Sequence, residues 1–329
     1  MRLLYRLMLW TAALCLLLII ALCLWAGDQL ASPTRRPLQD YHREFLADPA
    51  AHGVSVESLK LSDATPCLMI QPRADGKLGT RGLKLRDQFK TETIALPTAG
   101  QVIGTLVLVH GRKGRKEDYL LIAERLCAVG FRCILPDMPA HGEHPEAYAT
   151  FGIREADIPA RALQESAEKF KFNPMPAGLM GMSMGGAVSM HAAARPDQPW
   201  QALVILSSFD RLETAIQKNV SDRVGCFLGN AWAGMAGWIY QWKTGIAIHE
   251  IRSDLPAAKI TIPTLVAHGT SDRVIPQESG KRLYMALPET IEKQWIDVPE
   301  ADHDNVLITD FPIYATVAKW MLRHVTSTP

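Results

Sequence analysis

The sequence predicts a doubly wound, mostly parallel α/β sheet with a helical cap insertion, preceded by one transmembrane helix. Three observations lead there. Strand-like apolar runs alternate with helical runs from residue 106 onward, the alternation lapses between residues 208 and 260, and residues 7–25 carry no charge. The expected organisation is an N-terminal transmembrane anchor over residues 1–26, a juxtamembrane linker over 27–50, and an α/β domain over 51–329 with its cap at about 208–260.

The anchor comes first. Residues 7–25 are almost entirely Leu, Ile, Ala, Cys and Trp. About 19 residues at about 1.5 Å each span roughly 28 Å, close to the thickness of a bilayer's hydrocarbon. A cleaved signal peptide has a shorter apolar region ending in small residues. Here Leu24-Trp25-Ala26-Gly27 sets a bulky Trp25 at the cleavage region, and Leu22 precedes Cys23 where a lipidated signal has a small residue. An uncleaved anchor is therefore expected, with the bilayer as a partner. Arg2 and Arg6 precede the span and Arg35 and Arg36 follow it, so the positive-inside rule separates the two orientations weakly. The very short basic tail favours a cytoplasmic N-terminus and a domain on the non-cytoplasmic side, periplasmic or extracellular.

Within the domain, residues 54–61, 67–72 and 83–93 read as edge strands of an early antiparallel part. A strand at Leu106 leads to a helix over 118–129, closed by Gly130. A strand over 131–135 and a helix over 158–170 follow, then a short buried strand at 176–180, a helix at 185–194 and a strand at 202–206. Alternation of this kind implies parallel strands covered on both faces. In the lapse, Leu228, Trp232, Met235, Ile239 and Trp242 recur at helical spacing, with Trp238 and Tyr240 on other faces. This apolar helix is expected to be buried in the cap, where it lines an apolar pocket or touches lipid near the anchor. Gly229, Gly234 and Gly237 weaken it and would permit lid motion.

The chemistry concentrates in Gly181-Met182-Ser183-Met184-Gly185-Gly186. A serine between strand and helix sits on a sharp turn, where side chains two positions either side would collide with neighbouring backbone, and glycine removes the collision. The helix start behind it offers free N–H groups to a developing anion. A serine hydroxyl needs a base, and the base an orienting acid. Asp272 stands in the turn after the strand that begins at Thr264, and His303 in the loop between a strand over 291–298 and the last helix. The order nucleophile, acid, histidine after successive strands suits one site at one rim of the sheet. Asp210 is the reserve candidate for the acid. The backbone N–H groups of Arg112 and Met184 are expected to form an oxyanion hole, with His110 bracing the loop rather than acting as base.

These segments resemble the α/β-hydrolase superfamily: His110-Gly111, the Ser183 turn, His268-Gly269-Thr270-Ser271-Asp272, the His303 loop, and Asp137-Met138-Pro139-Ala140-His141-Gly142 after its strand. The resemblance covers most of residues 51–329 and says little of the substrate. A serine nucleophile argues against the dienelactone hydrolases, which use cysteine. Arg112-Lys113 after His110-Gly111 argues against lipases with a longer glycine run. The resemblance implies a serine hydrolase, carboxylesterase- or lipase-like, acting on a small, apolar acyl ester through an acyl-enzyme. An acyltransferase built on the same acyl-enzyme, and a non-catalytic binding member of the fold, are the alternatives.

Bulk properties narrow the field. A net charge of +1 with mixed signs along the chain gives no indication of nucleic acid. The basic run Arg112-Lys113-Arg115-Lys116 reads as a solvated loop, while its place beside the oxyanion loop leaves an anionic substrate group open. The 6 cysteines form no C-x-x-C, His141 and His144 are too weak a pair for a metal, and no dinucleotide fingerprint is present, so neither metal nor cofactor is expected.

Overall fold

The computed structural model describes residues 2–90, 94–224, 226–307 and 313–325. Two helices, α1 (Arg2–Ala31) and α2 (Asp40–Ala47), precede β1 (Val54–Lys60), β2 (Pro66–Pro72) and α3 (Thr80–Gln88). Alternation then runs through β3 (Gly104–Val109), α4 (Leu120–Ala128), β4 (Phe131–Pro136), α5 (Ile158–Phe170), β5 (Ala177–Met182), α6 (Met184–Ala193) and β6 (Ala202–Leu206). Helices α7 (Leu212–Val224), α8 (Cys226–Thr244) and α9 (Asp254–Ala257) fill the lapse before β7 (Thr264–Gly269), α10 (Gln277–Ala286), β8 (Lys293–Val298) and α11 (Ile313–His324).

An unbroken apolar run must be covered on both faces, and β3 shows how. Val107 and Val109 join one core cluster, while Leu106 and Leu108 join the other across the sheet. Among the described residues the strand order is β1-β2-β4-β3-β5-β6-β7-β8. The β1–β2 and β2–β4 pairs are antiparallel and all later pairs parallel. From β3 the chain crosses to β4 on one side and then returns to β5 on the other. Such a reversal opens a crevice beyond the carboxyl ends of the strands. Register aligns Val109 with Gly181 and Met182 with Leu206, so the loops after β3, β5 and β6 emerge together.

The edge strand expected over 83–93 is absent. Residues 80–88 form α3, and 91–93 lie outside the described residues. The alternation of Leu83 and Leu85 mimics a strand, but the buried positions are Gly82, Leu85 and Phe89, spaced for a helix, and Leu83 is exposed. The face of α8 also differs from expectation. Ala233, Ala236 and Tyr240 turn inward with Ile239, while Met235, Trp238 and Trp242 form an exposed stripe at helical spacing. The side chains of Leu228 and Trp232 lie outside the described residues. The basic run is not solvated throughout. Arg115 pairs with Glu117 at 2.6 Å, and buried Lys116 meets Asp137 at 2.9 Å and Glu143 at 2.6 Å. Burial works against the Lys116 ammonium, yet these carboxylates raise its pKa.

Helix α1 is continuous to Ala31, through the start of the expected linker. From Leu4 to Leu22 its side chains are exposed, and residues 4–31 are long and apolar enough to cross a membrane by length and composition. Cys23, Gly27 and Ala31 are then buried at successive turns. This stripe packs on α8. A Cβ on Gly27 would stand 2.5 Å from the Ile239 Cβ and 2.7 Å from the Ala236 carbonyl oxygen. Lys243 pairs with Asp28 at 2.7 Å, and Ala149 N–H donates to the Ala31 carbonyl at 2.8 Å.

Gly27→Val should force this crossing apart and cost about 1–3 kcal/mol, read as a lower denaturant midpoint of the detergent-solubilised protein. An unchanged midpoint would contradict the close approach. A second expectation concerns acid. Burial pushes His141 down to about 3. Its folded form binds fewer protons than the unfolded chain between that value and about 6.5, so its contribution is complete above pH 6.5 and is lost as pH falls toward 3. His141→Gln should therefore flatten the decline of the unfolding free energy over that window, read by urea denaturation, by up to about 1.4 kcal/mol per pH unit.

Candidate active site

Strand β5 ends at Met182 and α6 begins at Met184, so Ser183 alone makes the bend. Its φ of 55° and ψ of −119° are strained for a residue with a side chain. Neighbouring backbone imposes them. A Cβ at position 181 would lie 2.1 Å from the Gly185 carbonyl oxygen, and one at 185 would lie 2.1 Å from that of Val109. The bend is tied down on both sides: Ser183 N–H donates to Leu206 O at 2.9 Å, and the Ser208 hydroxyl donates to Ser183 O at 2.8 Å.

Three side chains meet at this rim. His303 Nε2 lies 3.0 Å from Ser183 Oγ, and His303 Nδ1 lies 2.8 Å from Asp272 Oδ2. Because Nδ1 faces a carboxylate it carries the ring proton, which leaves Nε2 as an acceptor toward the hydroxyl. Asp272 Oδ1 accepts from Val274 N–H at 2.9 Å and Ile275 N–H at 2.8 Å. Burial opposes the Asp272 charge. Hydrogen bonds from His268, His303 and Ile275 N–H outweigh it and hold the carboxyl well below the usual carboxylate range.

His268, for which the sequence alone suggests no role, also contributes. Its Nε2 lies 2.9 Å from Ile275 O and 3.3 Å from Asp272 Oδ2, so its proton is shared between two acceptors. The ring is fully buried and stacked on Trp295. The spacing of four residues to Asp272 was the available signal.

The His303 loop is fixed through its acids. Asp302 Oδ1 accepts from the N–H groups of Asp304 and Asn305, both at 3.0 Å, and Asn305 Oδ1 accepts from Asp302 N–H at 2.8 Å. Ser271 N–H reaches across to Ala301 O at 2.9 Å, joining the Asp272 turn to this loop.

The loop after β3 passes close to the serine. A Cβ on Gly111 would stand 3.4 Å from Ser183 Cβ, so the Gly111–Arg112 peptide borders the hydroxyl while Met184 opens α6 behind it. His110 accepts Met138 N–H at Nε2, 3.0 Å, and donates from Nδ1 to Gly111 O, 2.9 Å. Both nitrogens are occupied by main chain, and burial lowers its pKa. Asp210, the reserve acid, instead receives the Arg282 guanidinium at 2.6 Å.

Ser183 and His303 open into a cavity of about 1410 Å³. One wall is apolar, with Phe151, Phe209, Leu212, Ile216 and Ala236 of the cap side. Another comes from helix α1, through Trp25, Gln29 and Leu30. Trp238 does not line it. Among the described residues no three His, Cys, Asp or Glu side chains are grouped as metal ligands.

A family model described as serine aminopeptidase, S33, matches residues 100–244. The uncharacterized protein YfhR of Escherichia coli K12 is 23% identical over 205 residues, covering 62% of this chain and 64% of that protein, so the chain spans less than two thirds of that relative's length. By structure, the esterase Pf2001 of Pyrococcus furiosus superposes with a TM-score of 0.62 at 14% identity, covering 89% of this chain and 99% of the esterase. A bacterial membrane phospholipase A superposes with a TM-score of 0.54 at 15% identity, covering 97% of both chains. At such identities the superpositions speak for the fold. With a sequence match running from β3 into the cap and the sheet order described above, the chain has the α/β-hydrolase fold.

Proposed function

We propose that the protein is a membrane-anchored serine hydrolase that cleaves carboxylic esters of apolar acyl chains through an acyl-enzyme. The observation that carries this reading is the unbroken chain from Ser183 Oγ through His303 to Asp272, at the floor of a cavity with an apolar wall. Ser183 attacks the acyl carbonyl while His303 Nε2 takes its proton. Asp272, held ionised by its four donors, keeps the proton on Nδ1 and stabilises the imidazolium. The Arg112 and Met184 N–H groups receive the oxyanion, an interaction that typically supplies about 3 kcal/mol per donor. His303 then protonates the leaving alcohol, and a water activated by the same ring releases the acid.

The aminopeptidase description attached to the matching family model is a poorer fit. A peptide's free N-terminal ammonium calls for carboxylates, whereas the cavity is lined by six Lys and Arg side chains against Asp118 and Asp304. The anchor is proposed to stay uncleaved, because removing residues 1–26 would strip Trp25 from the cavity wall and Cys23 from its seat. The exposed Trp238 and Trp242 stripe beside it is then placed at headgroup level, where amphipathic rings accumulate.

Ser183→Ala should abolish fluorophosphonate labelling and ester turnover with the fold intact; full turnover in that variant would reject the nucleophile. Asp272→Asn should lower kcat about 10⁴-fold, the loss a mis-set histidine tautomer causes in a serine triad, and a loss under tenfold in steady-state assays would remove Asp272 from this role. For orientation, a C-terminal alkaline phosphatase fusion should be active; activity only from a reporter that works in the cytoplasm would reverse the topology.

A further inference from the structure

The cavity has a second arm that the ester reading leaves unused. Beyond His303 it is lined by Leu307 and Tyr314, and from α3 and α4 by Arg81 and Arg125, with Tyr119 just before α4. Arg125 lies over the Tyr314 ring at 4.2 Å and donates to the Leu121 carbonyl at 2.8 Å. Tyr314 itself donates to the Leu307 carbonyl. Tyr119, Leu307 and Tyr314 belong to one core cluster, and Phe151, Phe209 and Leu212 of the apolar wall to the other, across the sheet.

Its donors outnumber its acceptors. Arg36 is paired with Asp118 and Arg81 with Glu124, each at 3.4 Å. Arg125, Arg112 and Lys113 have no carboxylate partner among the described residues. Arg112 donates to the Gln29 carbonyl at 2.6 Å, and its Nε is buried with no acceptor. Tyr119 is 5% exposed, and its hydroxyl is likewise buried without a partner. Buried donors left unpaired are costly, and native chains seldom keep them unless a ligand or water completes them. An aromatic hydroxyl, a guanidinium free of counter-charge and a positive surround together form the donor set that an anionic oxygen group requires.

We propose that this arm is a subsite for a phosphate or carboxylate on the alcohol portion of the ester, held by Arg125 and the Tyr119 hydroxyl in the positive field of Arg81, Arg112 and Lys113. It rests on the acyl-ester reading and narrows it: the substrate is an amphiphile, with an apolar acyl chain under the cap and an anion beyond the scissile bond. Arg125 and Tyr119 are positioning residues, since neither reaches the reacting atoms.

The test pairs a 1-acylglycerol with the same 1-acylglycerol 3-phosphate, assayed on the full chain in detergent. Wild type should prefer the phosphate ester at least tenfold in kcat/KM, with most of the difference in KM. That ratio should fall at least tenfold in Arg125→Gln and at least threefold in Tyr119→Phe, and should shrink with added salt. Inorganic phosphate should compete with the neutral ester in wild type and lose that competition in Arg125→Gln. Butanoyl substrates in solution and long-chain substrates in vesicles separate a soluble phosphate ester from a lipid headgroup as the source of the anion. A wild-type ratio near one, with no inhibition by phosphate, overturns the subsite while leaving ester cleavage standing. If neither ester is cleaved, the hydrolase reading fails instead. The subsite is then decided by phosphate alone, through a thermal shift present in wild type and absent in Arg125→Gln. Should Arg125→Gln not fold, Tyr119→Phe and the wild-type phosphate competition decide it.

Discussion

The site depends on how closely three stretches of backbone approach one another around residue 183. The Val109 carbonyl, the Gly185 backbone and the Gly181 backbone are packed so tightly that no Cβ fits at either glycine. The strand and helix can therefore meet with a single residue between them, and that residue is forced to a φ of 55°. Everything else follows from its location. A hydroxyl raised at the carboxyl end of β5 stands beside the ends of β3 and β6, and the reversal of strand order leaves the crevice above it open. The strain is stored locally and opposed by the fixed surroundings, since Leu206 and Ser208 on the next strand and loop each bond the serine's main chain.

Legibility in the sequence tracked the range of the interactions involved. The serine turn, the strand runs and the order of Ser183, Asp272 and His303 are local patterns, and the structure brings those three side chains together. Features that depend on distant partners were not legible. Lys116 reads as part of a solvated loop because the carboxylates of Asp137 and Glu143 approach it only in the fold. The helix α3 was mistaken for a strand because alternating Leu83 and Leu85 fit period two, and only packing of Gly82 on Ala128 shows which face is inside. The face of α8 was misassigned for a related reason. Tryptophans at 238 and 242 are apolar enough to be placed in a core, yet the buried side is chosen by the small residues Ala233 and Ala236 that let α1 approach.

Helix α1 joins a segment long and apolar enough to cross a membrane to the wall of the cavity. From Leu4 to Leu22 its side chains are exposed, and from Cys23 it packs on the folded domain and lines the cavity. At 1.5 Å per residue the five positions from Cys23 to Gly27 span only about 6 Å. The exposed part of the candidate membrane-spanning segment and the cavity wall are therefore adjacent stretches of one helix. Arg112 strengthens the connection, because the residue whose N–H borders the serine uses its guanidinium to cap the Gln29 carbonyl at the end of that helix.

This arrangement also explains how opposite polarities coexist in one cavity. Apolar side chains from the cap and α1 line the cavity together with arginines rooted in α3, α4 and the linker. The apolar wall and the aromatic residues beside the arginines are buried in different layers: Phe151, Phe209 and Leu212 in one core cluster, and Tyr119, Leu307 and Tyr314 in the second on the far side of the sheet. A doubly wound sheet supplies two such layers by construction, and the crevice at its strand ends is where they meet. A site straddling that seam can present hydrocarbon on one side of a scissile bond and positive charge on the other without placing unlike groups in a single core.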